Sequence, residues 1–455
     1  MAFSFHHLDK WCFANIDLAE EALETHPKAV IIIAGASSSG KSFSAEALNR
    51  IMKNHGHKSI TISLDQYNYG LSAIIPNKVN QNVFGGKIDN ILEIEKKIKP
   101  ILLKYPFQEK YNEKCLLEIA QSVEHLLPSS DLPRFIKGLA KEWSLLNFDE
   151  PTVYHLKEAA SDVKKLFNNE TIYEKKYSKI VSERVRSSRR IDGKKYDIII
   201  VEGIYALDKS FLDEMKKIPY IANFIDGNAK SLFLRRIIRD KVSTSADSAF
   251  TTHLYFRYII PSYKNTILPT RENADVILDN NMSFEELRSG ELFITKDGFG
   301  ITSPKAVSYL LSHSEILKTH YEKDYYFSAP GEDEKVDNIL RFRLRSQDKG
   351  GTYFPGSLVH KGAPKVRKDN KIIRPINVLL DEKEIRKVWK DEKSCLNDFQ
   401  SADFIIAKKE IKIKSRIVYK GQNCTLFQVE GKGDYVEFVP PINREIVKEI
   451  KRIIK

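Results

Sequence analysis

Apolar and polar positions follow two different patterns along the chain. Over residues 1–290, short β-branched runs such as residues 29–34 and 198–201 alternate with amphipathic stretches, which predicts buried parallel strands and helices. Residues 71–146 interrupt this alternation, and their apolar positions recur on one helical face. From about residue 316 the period changes to two, which is typical of antiparallel strands.

These patterns predict the domain organisation. We expect an α/β domain with a parallel sheet over residues 1–290, a helical insertion at 71–146, a linker at 291–315, and a C-terminal antiparallel β-barrel of the α+β kind at 316–455. No apolar run approaches the ~20 residues of a membrane span. The N-terminus has no cationic stretch followed by an apolar core, and the four cysteines are scattered, so a cytoplasmic location is expected.

Residues 35–42, with the sequence GASSSGKS, fit the phosphate-binding pattern G-x-x-x-x-G-K-[ST] between a predicted strand and a predicted helix. The loop N–H groups and the helix N-terminus would face phosphate oxygens. Lys41 would reach the outer phosphates of a nucleotide triphosphate, and Ser42 would bind Mg²⁺. The alternative is a flexible serine-glycine turn. The predicted nucleotide-binding residues are Gly35, Ala36, Ser37, Ser38, Ser39, Gly40, Lys41 and Ser42.

Acidic and basic residues follow later elements of the same domain. Asp65, after the strand at 59–64, would accept the proton of an acceptor hydroxyl near the γ-phosphate, with a helix cap as the alternative. Glu202, after the strand at 198–201, would support Mg²⁺. Arginines on one helix would close over the phosphates, with a solvated basic face as the alternative. The predicted catalytic residues are Asp65, Lys41, Arg235, Arg236 and Arg239.

Taken in order, these segments resemble the uridine kinase family and its phosphoribulokinase relatives. The resemblance implies a P-loop kinase that uses ATP and Mg²⁺, with Asp65 as the base and a nucleoside or related small molecule as the hydroxyl acceptor. The similar segments are the phosphate loop, S-x-D at 63–65, N-F-D-x-P at 147–151, D-x-x-x-x-E-G at 197–203, R-R-x-x-R-D at 235–240 and P-x-x-x-x-A-D-x-I at 269–277.

The acceptor side departs from the family pattern. The family carries P-x-Y-D-F-x-x-H-x-R on its substrate-binding hairpin, and residues 173–184 keep only the tyrosine and the arginine. Ser182 stands where the histidine is expected, and Asn68 stands where an aromatic residue is expected. Kinase chemistry is therefore better supported than uridine as the acceptor. The predicted substrate-binding residues are Tyr67, Tyr177 and Arg184.

The strands of the last third place charge on one face. Residues 339–345 alternate arginine with apolar side chains, and residues 411–417 alternate lysine or arginine with isoleucine or serine. A barrel that encloses a polyanion, a plain sheet with a solvated basic face and a nucleic-acid surface all fit this pattern. The net charge of +12 fits each of these anionic partners.

Several strand segments of the last third follow in order: residues 322–326, Arg341 with Arg343, residues 358–362, Lys412 with Lys414 and Arg416, and residues 431–437. Over about 318–440 this order resembles a CYTH domain, the triphosphate tunnel fold. The resemblance implies metal binding by Glu322, Asp324 and Glu437. Asn377 and Val439 replace two expected acids, so metal binding should be weak, and phosphate-chain binding is favoured over hydrolysis. The implied anion-binding residues are Arg341, Arg343, Arg345, Lys361, Arg374, Lys412, Lys414 and Arg416.

The leading interpretation is an ATP-dependent kinase with an appended CYTH-like domain that binds polyphosphate or a nucleotide. One alternative is a triphosphatase or pyrophosphatase that acts in the barrel, with a regulatory kinase-like domain. Another is a nucleotide-responsive protein that binds RNA or polyphosphate. Retention of Lys41, Asp65 and Glu202 favours the kinase over the binding protein. No membrane partner is expected, and nucleic acid stays open.

Overall fold

The computed structural model describes residues 2–106, 110–243, 247–281, 299–301, 303–330, 339–348, 350–361, 365–366, 372–373, 376–430, 433–438 and 444–454. The chain divides into two compact units. The first unit comprises Met1–Gly227, Ser231–Ala246 and Arg257–Asn281, and the second comprises Asn228–Lys230, Asp247–Phe256 and Met282–Lys455. Among the described residues, no helix has the length and apolar character that a membrane crossing requires.

The first unit is built on a parallel sheet. Its strands are β1 (Phe3–Phe5), β2 (Ala29–Gly35), β3 (Ser59–Ser63), β4 (Thr171–Tyr173), β5 (Lys176–Ser178), β6 (Glu183–Val185), β7 (Arg190–Asp192), β8 (Ile198–Glu202), β9 (Tyr220–Asp226) and β10 (Val276–Asp279). Six of these strands form one sheet in the order β1-β10-β9-β2-β8-β3, with every neighbouring pair parallel. The others pair as β4 with β7 and β5 with β6. The predicted parallel sheet is therefore confirmed.

Helices cover both faces of this sheet. The described helices within residues 2–281 are α1 (Leu8–Thr25), α2 (Lys41–Asn54), α3 (Leu71–Phe84), α4 (Ile91–Leu102), α5 (Glu113–Val123), α6 (Leu132–Ser144), α7 (Leu156–Phe167), α8 (Lys209–Met215), α9 (Ala229–Ser243), α10 (Ser248–Leu254) and α11 (Ile260–Ser262). Of these, α10 belongs to the second unit. Successive residues of β2 point to opposite faces. Ile31 packs with Trp11 of α1 and Leu48 of α2, while Ile32 packs with Val163 of α7. Both faces of β2 are thus apolar, as its unbroken apolar run predicts.

Helices α3 to α6 occupy residues 71–146 and share a hydrophobic core of their own. A buried carboxylate fastens the β5–β6 hairpin to the first of these helices. Glu183 of β6 accepts hydrogen bonds from the backbone N–H of Ser72, at 2.7 Å, and from the Ser72 hydroxyl, at 2.8 Å. The backbone N–H of Leu71 donates to the carbonyl of Ser182 at 3.1 Å. The N-terminus of α3 therefore fixes the position of the hairpin.

The second unit is an antiparallel sheet with helices. Its strands are β11 (Phe299–Ile301), β12 (Glu315–Ser328), β13 (Ile339–Ser346), β14 (Phe354–Lys361), β15 (Lys365–Val366), β16 (Ile372–Ile373), β17 (Ile376–Leu380), β18 (Ile405–Tyr419), β19 (Gln422–Val429) and β20 (Gly433–Phe438). Eight of them follow the order β11-β20-β19-β18-β12-β13-β14-β17. The remaining helices are α12 (Pro304–Ser312), α13 (Glu382–Val388), α14 (Glu392–Ser401) and α15 (Arg444–Ile454). The antiparallel sheet is confirmed, and its closure into a barrel stays a prediction.

Two stretches differ from the expected segmentation. The expected linker at 291–315 contains β11 and α12, and β11 pairs with β20, so this stretch contributes to the second unit. Asp247–Phe256 was expected in the first domain but lies in the second unit. There the ring centroid of Phe256 is 5.7 Å from that of Trp389 and 5.0 Å from that of Phe399. Local apolar patterning predicts burial but does not say which core a side chain joins.

We expect Glu183→Gln to change how stability depends on pH. Burial raises the pKa of Glu183 from 4.5 to about 7. The stability that the protonated carboxyl contributes is fully present below pH 4.5 and is lost as the pH rises through 7. The free energy of unfolding of the unmodified chain should therefore fall relative to Glu183→Gln across this window, by at most about 1.4 kcal/mol per pH unit.

Urea unfolding followed by circular dichroism at several pH values checks this expectation. The control is Glu93→Gln, which changes an exposed carboxyl of α4. A difference between the unmodified chain and Glu183→Gln that stays constant with pH would contradict it.

Candidate active site

The phosphate loop connects β2 to α2 at the carboxyl edge of the parallel sheet, where open α/β folds bind ligands. Gly35 has φ of +146° and Gly40 has φ of +98°. A Cβ atom on Gly35 would lie 2.3 Å from the carbonyl oxygen of Ile225, so only glycine fits there. The buried hydroxyls of Ser38 and Ser39 have no hydrogen-bond partner among the described residues. Such groups suit a loop that binds an anion.

Lys41 begins α2, and its side chain is buried. Its Nζ atom donates to the carbonyl of Ala36 at 2.7 Å. Burial lowers the pKa of Lys41 to about 8, although the carboxylates of Glu202, Asp65 and Asp149 act to raise it. A positive charge therefore stands at the end of the loop, with three acids around it.

Two of these acids reach the site because β3 and β8 are neighbours. Ser63, the last residue of β3, is in register with Glu202, the last residue of β8, and Asp65 follows two residues after Ser63. Burial, together with the nearby Asp65 carboxylate, raises the pKa of Glu202. The predicted base and the predicted metal-supporting acid are therefore brought together at one edge of the sheet.

The residues present fit a Mg²⁺ ion that is shared with phosphates. Glu202 supplies a carboxylate, and Ser42 supplies an exposed hydroxyl in the first turn of α2. Mg²⁺ usually takes one or two protein carboxylates and completes its shell with water and substrate phosphate. The described part of the chain has no group of three or more His, Cys, Asp or Glu residues placed to hold a metal. Binding of Mg²⁺ at this site would thus require a bound nucleotide to supply further ligands.

Asp149 is a functional candidate that the sequence analysis did not assign. Its carboxylate is buried, and its Oδ2 atom has no hydrogen-bond partner among the described residues. Burial raises the pKa of Asp149, opposed by Arg236, Arg239 and Lys41. The signal was present in the sequence, since Asp149 is the acid of the N-F-D-x-P segment.

Helix α9 brings its arginines to the phosphate loop. Arg235 Nη1 donates to the carbonyl of Ser39 at 3.1 Å, and Arg236 Nη1 donates to the hydroxyl of Ser37 at 2.8 Å. Arg239 is bound to Asp240, at 2.8 Å between Nη2 and Oδ1. Arg236 is also paired with Asp240, at 2.6 Å between Nε and Oδ2, so this acid of α9 holds two of the three predicted arginines while Arg235 and Arg236 reach the loop.

Asn280, which the sequence analysis did not assign, also binds the loop. Its Nδ2 atom donates to the carbonyl of Ser39 at 2.7 Å. No spacing in the sequence links Asn280 to the loop, because the contact depends on where the chain leaves β10.

On the acceptor side, Asp65 forms an ion pair with Lys179, at 2.8 Å between Nζ and Oδ2. Burial acts to raise the pKa of Asp65, but Lys179 outweighs this effect and holds the pKa below its ordinary value. Lys179 lies between β5 and β6, so the turn of this hairpin places a cation beside the predicted base. The sequence analysis did not assign a role to this lysine.

The predicted substrate-binding residues are engaged with neighbouring acids or hydroxyls. The hydroxyl of Tyr67 donates to Asp162 of α7 at 3.1 Å. Arg184 Nη2 donates to Glu158, also of α7, at 2.7 Å. Tyr177 is paired with Arg184 in the hairpin register. The role of these residues in substrate binding stays a prediction.

In the second unit, the predicted charged face exists as a set of ion pairs. Strands β12, β13 and β18 are neighbours, and Glu322 and Asp324 of β12 are fully buried. Arg343 holds Asp324 through two bonds, at 2.7 Å from Nε and 2.8 Å from Nη2, and it reaches Glu322 at 2.8 Å. Lys412 also donates to Asp324, and Arg341 Nη1 lies 3.8 Å away.

These pairings change the chemistry expected of the face. Burial acts to raise the pKa of Glu322, yet His320 and Arg343 lower it to about 2. The two buried carboxylates are bound to arginine and lysine, so they do not fit a metal ion. Arg343 then serves mainly as the partner of two buried acids.

The remaining predicted cations lie toward the edge of this face. Lys414 and Arg416 line a cavity of about 270 Å³ together with His320, Asn423 and Thr425. Arg345 is partly exposed, with Nη1 3.2 Å from Glu382.

Three further predicted residues of the second unit have no described side chain. Lys361 and Glu437 lie in β14 and β20, whose backbones the structure describes at these positions. Arg374 lies outside the described residues.

Comparison with known proteins links the first unit to a kinase family. The profile of the Phosphoribulokinase / Uridine kinase family matches residues 138–284. A uridine kinase of Macrococcus caseolyticus is 30% identical over 132 residues, which is 29% of this chain and 62% of that protein. The chain thus spans less than two thirds of the length of this relative. These matches support a P-loop kinase domain similar to this family. The family match ends at residue 284, so the likeness of residues 316–455 to a CYTH domain stays a prediction.

Two solved structures are similar over part of the chain. One is described as a possible uridine kinase from Bacillus stearothermophilus, with 14% identity and a TM-score of 0.31, and it covers 60% of this chain and 97% of its own. The other, from Hippeastrum, is described as a candidate adenylyl cyclase with a dominant triphosphatase activity. Its identity is 16% and its TM-score 0.23, over 35% of this chain and 84% of its own.

We expect Gly35→Ala, in the phosphate loop, to lower the free energy of unfolding more than Gly56→Ala, which lies after α2. Both glycines have positive φ, but a Cβ atom on Gly56 would meet nothing within 4 Å, whereas one on Gly35 would meet the Ile225 carbonyl. The extra loss in the free energy of unfolding should be about 1–3 kcal/mol, the usual cost of overpacking. Chemical denaturation of both variants measures it, and equal losses would contradict the close approach at Gly35.

Proposed function

We propose that this chain is an ATP-dependent phosphotransferase whose first unit transfers the γ-phosphate of ATP to a hydroxyl of a nucleoside or related small molecule. The observation that carries the proposal is the buried Lys41 at the end of the phosphate loop, with Asp65 and Glu202 at the same sheet edge. The match of residues 138–284 to a kinase family supports it independently.

In this proposal the loop N–H groups and Lys41 bind the β- and γ-phosphates, and Arg235 and Arg236 lie beside them. Ser42 and Glu202 would hold Mg²⁺, which neutralises phosphate charge when bound. Fixed positive groups aimed at the phosphates stabilise the charge that develops during transfer without reorganising at that moment. The distances from Arg235 and Arg236 to the loop support this role.

Asp65 is the proposed proton acceptor. The acceptor hydroxyl oxygen forms a bond to the γ-phosphorus while the bond to the β–γ bridging oxygen breaks, and the hydroxyl proton passes to the Asp65 carboxylate. The pKa of Asp65 lies below its ordinary value, so this carboxylate is ionised near neutral pH and can take the proton.

For the second unit we propose a CYTH-like fold that binds a phosphate chain or a nucleotide. The support is the cavity lined by Lys414 and Arg416 on the charged face of β12, β13 and β18, where Arg341, Arg343 and Lys412 are buried against Glu322 and Asp324. Clustered cations in a partly enclosed site attract a polyanion strongly because the effective dielectric constant is low there. Hydrolysis is not proposed, since the described acids are paired with cations.

Lys41→Ala should abolish phosphate transfer, because it removes the charge that bridges the outer phosphates. Stability should change little, because the substitution removes the cost of burying a charge but also removes the cation that Glu202, Asp65 and Asp149 surround. Transfer from γ-labelled ATP measures the loss, and Lys53→Ala, at an exposed position of the same helix, is the control. Transfer at the unmodified rate in Lys41→Ala would mean that the active phosphate site is elsewhere.

Asp65→Asn should leave ATP affinity nearly unchanged and reduce the transfer rate about 10²–10⁴-fold, the usual range for a general base. The amide keeps the shape of the side chain and removes its basicity. Equilibrium binding of a nonhydrolysable ATP analogue and single-turnover transfer separate the two quantities. A loss of binding that accounts for the whole effect would mark Asp65 as a structural or metal-supporting residue.

Tripolyphosphate should bind the second unit, and Lys414→Ala with Arg416→Ala should weaken this binding by about tenfold or more. Calorimetric titration of the full chain carrying Lys41→Ala isolates the second unit from the phosphate loop. Lys383→Ala with Lys409→Ala removes two other exposed lysines and is the control. Arg343→Ala is unsuitable, because it leaves two buried carboxylates uncompensated and should cost about 3–5 kcal/mol of stability. Equal losses of tripolyphosphate affinity in the two double variants would mean that the ligand binds through diffuse positive charge and not at a defined site.

A further inference from the structure

We propose that the acceptor of the first unit carries an anionic group, a phosphate or a carboxylate, and that Lys179 is the residue that binds this group. The inference rests on the proposed phosphotransferase function and names the class of its acceptor. Its basis is the position of a cation directly beside the predicted base. Lys179 is 59% exposed, and its Nζ atom lies 2.8 Å from Oδ2 of Asp65, which is itself 35% exposed.

The hairpin holds the backbone of Lys179 in a defined place. The hydroxyl of Ser182 donates to the carbonyl of Lys179 at 3.3 Å and closes the turn. The carbonyl of Ser182 accepts from Leu71 at 3.1 Å, and Glu183 is bonded to Ser72. The turn is thereby tied to the N-terminus of α3, so the inserted helices position the turn that carries the lysine. Only the Lys179 side chain remains to adjust to a ligand.

Two neutral groups near the predicted base, the Asn68 side-chain oxygen and the Ser182 hydroxyl, are already engaged with the backbone. The Asn68 side chain is buried, and its Oδ1 accepts from the backbone N–H of Gly70 at 2.9 Å. The Ser182 hydroxyl is bonded to Lys179. In the uridine kinase pattern P-x-Y-D-F-x-x-H-x-R, aspartate and phenylalanine stand at the positions of Ser178 and Lys179. An acid and a ring have thus been replaced by a hydroxyl and a cation, which favours an anionic ligand.

The ion pair of Lys179 with Asp65 is of a kind that a ligand can replace. An ion pair with an exposed partner contributes little, because water competes for the exposed charge, and Lys179 is the more exposed of the two. An acceptor phosphate or carboxylate that binds Lys179 takes over its charge and releases Asp65. The carboxylate is then available to the acceptor hydroxyl, so binding of the anion and exposure of the base occur together.

The transfer itself remains balanced. The acceptor hydroxyl oxygen bonds to the γ-phosphorus, the bond from that phosphorus to the bridging oxygen breaks, and ADP leaves. The proton moves to Asp65, while the anionic group of the acceptor stays bound to Lys179 and is chemically unchanged. Lys179 is therefore a positioning residue that sets acceptor specificity.

The test compares matched acceptors with the full chain and ATP: ribose, ribose 5-phosphate, ribonate and uridine. We expect kcat/KM for at least one of the two anionic sugars to exceed that for ribose by about tenfold or more. Lys179→Met should lower the ratio of anionic to neutral kcat/KM by about 10- to 100-fold, as expected for a hydrogen bond to a charged group. The effect should lie mainly in KM, and Lys179→Arg should retain most of the preference. The phosphate and carboxylate arms identify which anion is preferred.

Lys176→Met is the matched control, since it removes an exposed lysine from β5 of the same hairpin. An equal loss of selectivity in Lys176→Met would overturn the proposal in favour of diffuse charge. A higher kcat/KM for ribose or uridine than for the anionic sugars would also overturn the proposal. So would an equal loss of kcat/KM for all four acceptors in Lys179→Met. Either result would leave the phosphotransferase function intact.

Binding of ribose 5-phosphate and ribonate to the chain loaded with a nonhydrolysable ATP analogue separates the two proposals. Anion binding that depends on Lys179, without transfer to any acceptor, would support the anionic subsite and overturn the phosphotransferase function. The absence of both anion binding and phosphate transfer would overturn both proposals.

Discussion

The buried charge of Lys41 is the constraint on which the first unit depends. An ammonium group taken out of water is costly unless acids surround it or a ligand binds it. Here Glu202, Asp65 and Asp149 provide the negative charge, and burial still lowers the pKa of Lys41 to about 8. The same acids are held close to one another and to arginines, so the site is an arrangement of mutually compensating charges. A triphosphate with its metal ion fits such an arrangement, because it brings charges of both signs.

The parallel sheet makes this arrangement possible. The central strand β2 lies next to β8, and β3 lies beyond β8, so the ends of these strands meet at one edge. The unbroken apolar runs of β2 and β8 were sufficient to predict the parallel sheet, because the parallel register is regular and local sequence determines where each strand ends. The structure brings Lys41, Asp65 and Glu202 to one edge of this sheet, and their roles there stay predictions.

Other contacts of the site could not be predicted from the sequence. Asn280 and Lys179 enter through contacts between segments far apart in the chain, at the end of β10 and at the turn of a hairpin. In the second unit the alternation of charge predicted the face but not its pairing, since the register that joins Arg343 to Asp324 is a tertiary property. A face that was expected to be mainly cationic therefore contains buried ion pairs as well. For the same reason, apolar patterning did not reveal which unit Asp247–Phe256 joins.

The most direct test of the central claim follows the destination of the γ-phosphate. The intact chain is incubated with γ-labelled ATP, Mg²⁺ and a mixed pool of neutral and anionic hydroxyl acceptors, and the labelled products are separated. The account predicts that the label appears mainly in a phosphate ester of an acceptor and depends on that acceptor. Release of the label only as inorganic phosphate, at a rate that no acceptor changes, would contradict it.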